Sequence, residues 1–328
     1  MYESKPTVTI IIPTYNRAHL LGRAIRSVLT QTFHDWELIV VDDASTDNTK
    51  EVVNSFQDPR IHYLCHETNR GGPAARNTGI RKARGLYIAF LDSDDEWLPI
   101  KLQKQLELFS NSSELVGLIY TGAIHVYRTH NVNRPPKHRG SLYRKLLLKN
   151  VVGSCSTAMI RRSIFNHVNG FDEALPSRQD VELWLRISKY YKIDFVPEHL
   201  VKINRRDDTE RITSNDFKVL QGRLLFFDKY KKDMQRERVA YVYLRRTGRI
   251  FQNRLNDLRS ARHCYIESIK ENPISLSSYL FFLLSLLTKP IYNIVESFRR
   301  WSLGLQTVQL LKEGDVLQQI RWKIKQRI

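Results

Sequence analysis

Four short apolar runs, spaced by helical patterns and ending in polar clusters, constrain this chain more than any other feature of its sequence. Val8-Thr-Ile-Ile-Ile12 is rich in β-branched residues and closes at Pro13, the pattern of a strand buried on both faces of a parallel sheet. Leu20, Leu21, Ala24, Ile25, Val28 and Leu29 follow at the spacing of one helix face. Glu37-Leu-Ile-Val-Val41 predicts a second strand ending in Asp42-Asp43. Ser45 and Asp47 then stand where a helix cap is expected, ahead of Val52, Val53 and Phe56. A third strand is predicted over 61–64, a loop over Asn69-Arg-Gly-Gly-Pro73, a helix over 74–83 and a fourth strand over 86–91. Leu98, Leu102, Leu106 and Phe109 mark another helix. Such alternation predicts an α/β domain: a Rossmann-like, mostly parallel sheet with helices on both faces.

Ligands of such sheets bind beyond the carboxyl ends of the strands, where this sequence concentrates its polar residues: Thr14-Tyr15-Asn16, Asp42-Asp43 and Asp92-Ser-Asp-Asp95. Neighbouring carboxylates repel unless a cation neutralises them. Mg²⁺ takes one or two carboxylates plus substrate phosphates, so Asp92 and Asp94, with Asp95 grouped beside them, suit an ion bridging protein to diphosphate. For Asp95-Glu96 alone a solvated acidic loop, or a helix start made acidic by the dipole, is the better reading; for Asp92 and Asp94, strand-terminal and paired, function is. Asp43 suits a nucleobase or ribose hydroxyl, or caps the next helix. Arg76 and Asn77, after two glycines and a proline, suit a base or a phosphate, since arginine pairs bidentately with phosphate; the alternative is a surface helix arginine. Asp180 opens an apolar helical run, Val181 to Ile187, and is a general-base candidate or a helix cap.

Composition supports a globular fold and excludes several classes. The 42% apolar fraction over 328 residues fits a large domain with an appendage. Cys65, Cys155 and Cys264 are scattered and odd in number, against a secreted disulfide scaffold. No leader pattern opens the chain, and the apolar stretch 274–287 is short of the roughly 20 residues a span needs. The expected location is therefore cytoplasmic. No dinucleotide or P-loop glycine motif and no G-x-S-x-G elbow is present. His62, Cys65 and His66 lack a second pair to close a zinc site and are expected to be ordinary strand residues.

The last third differs in kind. Residues 205–328 hold 25 of the 52 Lys and Arg but 13 of the 34 Asp and Glu. From Phe217 the pattern turns helical, with Leu255, Leu258, Ala261, Tyr265 and Ile269 on one face and a buried or interfacial helix over 274–287. Arg128 to Gly140 reads as a basic loop. The expected division is a catalytic domain over 1–204 and a basic helical region over 205–328.

Taken together the segments resemble family 2 glycosyltransferases of the GT-A fold. The matching pieces are Thr9-Ile-Ile-Ile-Pro-Thr-Tyr-Asn-Arg17, Val40-Val-Asp-Asp-Ala-Ser-Thr-Asp47, Asn69-Arg-Gly-Gly-Pro-Ala-Ala-Arg-Asn77 with Gly79, Leu91-Asp-Ser-Asp-Asp95, and Gly170-Phe-Asp172 followed by Gln179-Asp180, in the family's order. The resemblance implies inverting transfer from a nucleotide-sugar donor to a hydroxyl acceptor, a saccharide or lipid-linked saccharide, in cell-surface polysaccharide or glycolipid synthesis. It makes Pro13, Thr14, Tyr15, Asn16, Asp43, Arg76 and Asp92 the donor nucleotide site. It makes Asp92, Asp94 and Asp95 the ligands of Mg²⁺ or Mn²⁺, and Asp180 the catalytic base. The family usually has Glu-Asp where this chain has Gln179-Asp180.

Two other readings compete. A basic module without catalysis would use residues 205–328 on nucleic acid or membrane; the acids at three strand ends oppose it for the first domain. A sugar nucleotidyltransferase would need a glycine-rich, basic N-terminal loop, which is missing. The apolar stretch Tyr279 to Leu287, with Trp301, Trp322 and the basic excess, suits peripheral attachment to an anionic membrane surface, or a helical cap on the first domain. No nucleic-acid partner is expected.

Overall fold

The computed structural model describes residues 5–205 and 215–286. The chain divides into two compact units, Met1–Glu210 and Arg211–Ile328. Residues 205–211, where the sequence changes character, fall almost entirely outside the described residues, as do Trp301 and Trp322.

In the first unit strands and helices alternate: β1 (Val8–Thr14), α1 (Ala18–Leu29), β2 (Trp36–Asp42), α2 (Thr49–Asn54), β3 (Ile61–Cys65), α3 (Gly72–Lys82), β4 (Tyr87–Phe90), the short β5 (Glu96–Trp97) and α4 (Lys101–Ser110). All seven residues of β1 and of β2 are buried, as expected of parallel strands covered on both faces. Ala18, Leu21, Ala24, Ile25 and Val28 form the inner face of α1. The polar Glu37 in the middle of this core is satisfied: its carboxylate accepts from Thr9 Oγ1 at 2.6 Å and from Arg84 N and Nε, each at 2.8 Å.

The remaining elements of this unit are β6 (Val116–Val126), β7 (Asn131–Arg134), α5 (Tyr143–Leu148), β8 (Ala158–Arg161), α6 (Phe165–Val168), α7 (Gln179–Tyr190) and β9 (Lys192–Asn204). The strands form one sheet in the order β3-β2-β1-β4-β8-β6-β9-β5, with β7 hydrogen-bonded to β6. From β3 to β4 every pairing is parallel. Beyond β4, β8 runs antiparallel to both β4 and β6, and β9 is parallel to β6. The expected loop over Arg128 to Gly140 contains β7, because Asn131–Arg134 pairs edge-on with Ala123–Val126. The antiparallel insertion of β8 carries the 3₁₀ turn Cys155–Thr157 to the end of β4, directly beside the acids at 92–95.

In the second unit α8 (Asp216–Arg236), α9 (Ala240–Asn253), α10 (Leu258–Glu271) and α11 (Leu276–Leu286) surround a small core of Leu220, Phe251, Ala261, Cys264, Tyr265, Phe281 and Leu284. Leu255 lies before α10 rather than within it: Asp257 caps that helix through Ser260 N at 3.1 Å. Among the described residues no helix is long and apolar enough to cross a membrane.

Candidate active site

Three strand ends supply the floor of the site. The turn after β1 places Asn16 at φ 49°, a conformation that asparagine tolerates better than most residues. There its amide donates to Ser45 Oγ at 2.8 Å, and its side-chain oxygen accepts from Thr46 N at 2.8 Å. Asp47 joins the same two turns, accepting from Ala18 N at 2.9 Å and from Thr49 N at 3.2 Å. Pro13 and Thr14 are buried and Tyr15 is exposed, so the tyrosine ring is the part of this segment open to a flat ligand.

Asp43, 2% exposed, anchors the glycine loop. Its carboxylate accepts from Arg70 N at 2.9 Å and Gly71 N at 2.6 Å, and from His66 Nδ1 at 2.7 Å. His66 in turn contacts Thr78 Oγ1 through Nε2 at 2.9 Å. His66, expected to be an ordinary strand residue, is a brace between Asp43 and α3. Asp42 faces the other way, toward Tyr63 OH at 2.6 Å and Ser45 N at 2.9 Å.

The acids after β4 separate by environment. Asp92 pairs with Arg76 Nη2 at 2.5 Å and accepts from Ser154 Oγ at 3.3 Å. Asp94 pairs with Arg17 at 3.2 Å, while its backbone carbonyl accepts from Arg23 at 2.9 Å. Asp95, expected as a metal ligand with them, turns inward. It is 2% exposed and accepts from Ser156 Oγ at 2.7 Å and Asn204 N at 3.2 Å. Burial, with Asp94 and Asp92 close by, pushes its carboxyl well above the usual carboxylate range. Among the described residues no group of three or more Asp, Glu, His or Cys is arranged to hold an ion alone. Two carboxylates plus a donor diphosphate form a complete donor set for a hard cation, and the side chains of Asp92 and Asp94 are 29% and 15% exposed. These two fit a metal; Asp95 is bonded to Ser156, whose Oγ also accepts from Asp92 N at 3.0 Å.

Asp180 lies in the first turn of α7. The cap position belongs to Arg178, at φ 65° and without a side-chain cap bond, so Asp180 is not the helix cap. Its carboxylate accepts from Asn150 Nδ2 and from Val181 N, both at 2.7 Å. Burial raises its pKa; the Val181 amide, Arg178 and Arg76 oppose the rise, and Asp92 adds to it. Arg76 is held protonated against burial by Asp92. Arg76, Asp92 and Asp180, from three separate elements, therefore lie within one another's fields. The alternatives to Asp180 serve structure: Glu182 is fully buried and bonded to Arg186 at 2.8 to 3.0 Å, and Asp172 accepts from Ala174 N at 3.0 Å. Gln179 bonds back to Leu175 O at 2.9 Å.

Asn77 joins the two sides. Its side chain donates to Phe171 O at 2.9 Å and Glu173 Oε1 at 2.8 Å and accepts from Phe171 N at 2.7 Å. Arg76 lies 5.5 Å from the Phe171 ring centroid. Beside Asp94 an open cleft is lined by Arg23, Glu96, Val126, Asn131, Lys202 and Asn204. Asn150, Ser154 and Ser156 join the site without standing out in the sequence. No spacing signal marks them, since they reach the site only through the pairing of β8 with β4.

The model described as Glycosyl transferase family 2 matches residues 9–168. An Escherichia coli protein named UDP-Glc:alpha-D-GlcNAc-diphosphoundecaprenol beta-1,3-glucosyltransferase WfgD is 36% identical over 214 residues, covering 65% of this chain and 82% of that one. This chain belongs to glycosyltransferase family 2. Its fold is shared by solved structures of other proteins. Staphylococcus aureus TarS 1–349 with UDP-GlcNAc has a TM-score of 0.64 at 18% identity, over 92% of this chain and 93% of that one. The Pyrobaculum calidifontis mannosyltransferase PcManGT with GDP-Man and Mn²⁺ has a TM-score of 0.57 at 18% identity, over 90% and 84%. The family 2 glycosyltransferase described here thus has the GT-A fold, and its reaction moves a sugar from a nucleotide-linked donor to an acceptor hydroxyl.

Proposed function

We propose that the enzyme inverts the transferred sugar and builds a saccharide on a membrane lipid, for a cell-surface polysaccharide or glycolipid. The observation that supports this most is the convergence of Arg76, Asp92 and Asp180, a cation, a candidate metal ligand and a carboxylate of raised pKa, at one end of the sheet. On this reading Pro13, Thr14, Tyr15, Asn16 and Asp43 receive the nucleotide. Asp92 and Asp94 would hold Mg²⁺ or Mn²⁺, which when bound neutralises charge on the departing diphosphate. Arg76, beside Asp92, is placed to donate to a phosphate oxygen. Asp180 takes the proton of the attacking hydroxyl, a role for which a raised carboxyl pKa is suited; Asn150 fixes its rotamer. The Arg76–Asp92 pair and Asp180 belong to different elements, so base and diphosphate can occupy opposite faces of the sugar, as in-line displacement requires.

The lipid-linked acceptor is suggested by the WfgD relative, named for action on a GlcNAc-diphosphoundecaprenol. Such an acceptor would bring the enzyme to the cytoplasmic face of a membrane. The test is to incubate the enzyme with Mn²⁺, UDP- or GDP-linked sugars and GlcNAc-diphosphoundecaprenol. Elongated lipid with release of nucleoside diphosphate is expected; release of pyrophosphate, or no product with any donor, rejects the reading.

A further inference from the structure

The helix α11 has the polarity of a water-facing helix reversed. Its inner face carries Ser278 and Ser285, both fully buried, with Phe281 and Leu284. Its outer face carries Leu276, Tyr279, Leu280, Leu283 and Leu286, between 40% and 83% exposed, and Ile274 just ahead of the helix is 87% exposed. These positions recur every three to four residues and form one stripe. A soluble helix buries leucine and leaves serine outside. The inward serines here have their own partners: Ser278 Oγ meets Ser268 Oγ at 2.7 Å, and Ser285 Oγ donates to Phe282 O at 2.5 Å. No charged residue lies between 274 and 286. A contiguous exposed apolar face marks a contact surface rather than scattered surface leucines.

The surroundings identify the partner's chemistry. Arg245 donates to Ser277 Oγ, Arg262 donates to Ser285 O through Nε and Nη2 at 3.1 and 2.8 Å, and the Arg249 guanidinium lies 5.1 Å from the Phe281 ring centroid. Helices α9 and α10 together hold six Lys and Arg against two Glu and no Asp. The Arg249 and Arg262 guanidinium groups hold the inner side of α11, so its apolar outer stripe is backed by a basic layer, which matches a surface that is apolar within and anionic at its rim.

We propose that the outer face of α11 seats this chain on an anionic lipid bilayer, with the arginines of α9 and α10 at headgroup level. At 11 residues the helix is about 16 Å long, against a hydrocarbon core of about 30 Å. It lies in the interface plane, with its leucines roughly 5–10 Å below the headgroups. This inference rests on the reading that the acceptor is carried by a membrane lipid, and gives that reading a docking surface.

The test uses the full chain with vesicles of equal phosphatidylcholine and phosphatidylglycerol at low salt. The wild type floats with the vesicles, and Leu280→Glu with Leu283→Glu lowers the partition coefficient about tenfold or more. A nitroxide on Leu280→Cys in a Cys65→Ser background reports the face directly, because Cys155 and Cys264 are buried. Its accessibility to oxygen rises when vesicles are added. Flotation that the glutamates leave unchanged, or no flotation at all, overturns the proposal. So does a label already shielded and immobile without lipid, which means that residues 287–328 or a second copy covers the face. Transfer to a detergent-dispersed acceptor separates the two readings. Flotation through α11 without transfer rejects only the proposed reaction; transfer without flotation rejects only the docking face.

Discussion

Asn77 occupies the space that a side chain on residue 170 would need: its carboxamide oxygen lies inside the contact radius of any Cβ built on Gly170. The same carboxamide makes three hydrogen bonds to Phe171 and Glu173. The Arg-Asn pair of α3 and the Gly-Phe-Asp turn ahead of α7 are thus one device, which holds the turn leading to Asp180 against the helix that carries Arg76.

Gly170→Ala should therefore destabilise the fold by forcing Asn77 aside. Asn77→Ala should lower the transfer rate more than donor affinity, since it loosens the Asp180 side. In the double variant the alanine at 170 gains room, so the two costs should fall short of additivity by about 1–2 kcal/mol, the range of contacting pairs. Thermal unfolding of the four proteins measures this; strict additivity would show that the two residues do not compete for one space.

Asp180→Asn should cost roughly 10²–10⁴-fold in transfer rate and leave the donor dissociation constant nearly unchanged. Burial holds the Asp180 carboxyl above its ordinary range. The ionised form is the base, so the wild-type rate should climb with pH through an apparent pKa higher than that of a free aspartate. That limb should vanish in Asp180→Asn. A variant with near wild-type rate and an unaltered profile would send the search for a base elsewhere.

Chelation should weaken nucleoside diphosphate binding strongly, and Asp92→Asn or Asp94→Asn should do the same with Mn²⁺ present. Asp95→Asn keeps an acceptor for Ser156 and should spare metal affinity more than either. Calorimetric titration with and without Mn²⁺ decides; equal diphosphate affinity in both conditions removes the metal role.

Lys101→Met should stabilise the protein at neutral pH. Lys101 is fully buried, donates to Gln105 Oε1 at 2.7 Å and lies 3.9 Å from the Trp97 ring centroid. Burial pushes its ammonium well below the ordinary value. The unfolded chain keeps that proton up to about pH 10.4, whereas the folded chain releases it at lower pH. Between those values the unfolded state binds more protons, so wild-type stability rises with pH. Methionine removes this dependence, so the advantage of Lys101→Met should shrink as pH approaches 10. Urea unfolding at pH 7 and pH 9 tests it; an equal advantage at both would mean that Lys101 stays charged in the core.

The sequence by itself determined the parallel half of the sheet and the acids at its edge. Consecutive β-branched residues such as Ile10, Ile11 and Ile12 can be buried only between two helical layers, and a chain leaving such strands must place its next polar residues, Thr14, Asp42 and Asp92, on one rim. Only the tertiary structure decided how those residues divide their work. Asp94 and Asp95 are adjacent, yet one faces Arg17 and the other Ser156 and Asn204, because β8 and β9 reach the end of β4 from 60 to 110 positions away. The same holds for Asn150 on Asp180 and for the reversed polarity of α11. Local spacing records which face of an element is apolar, but what that face meets depends on contacts between residues far apart in the chain.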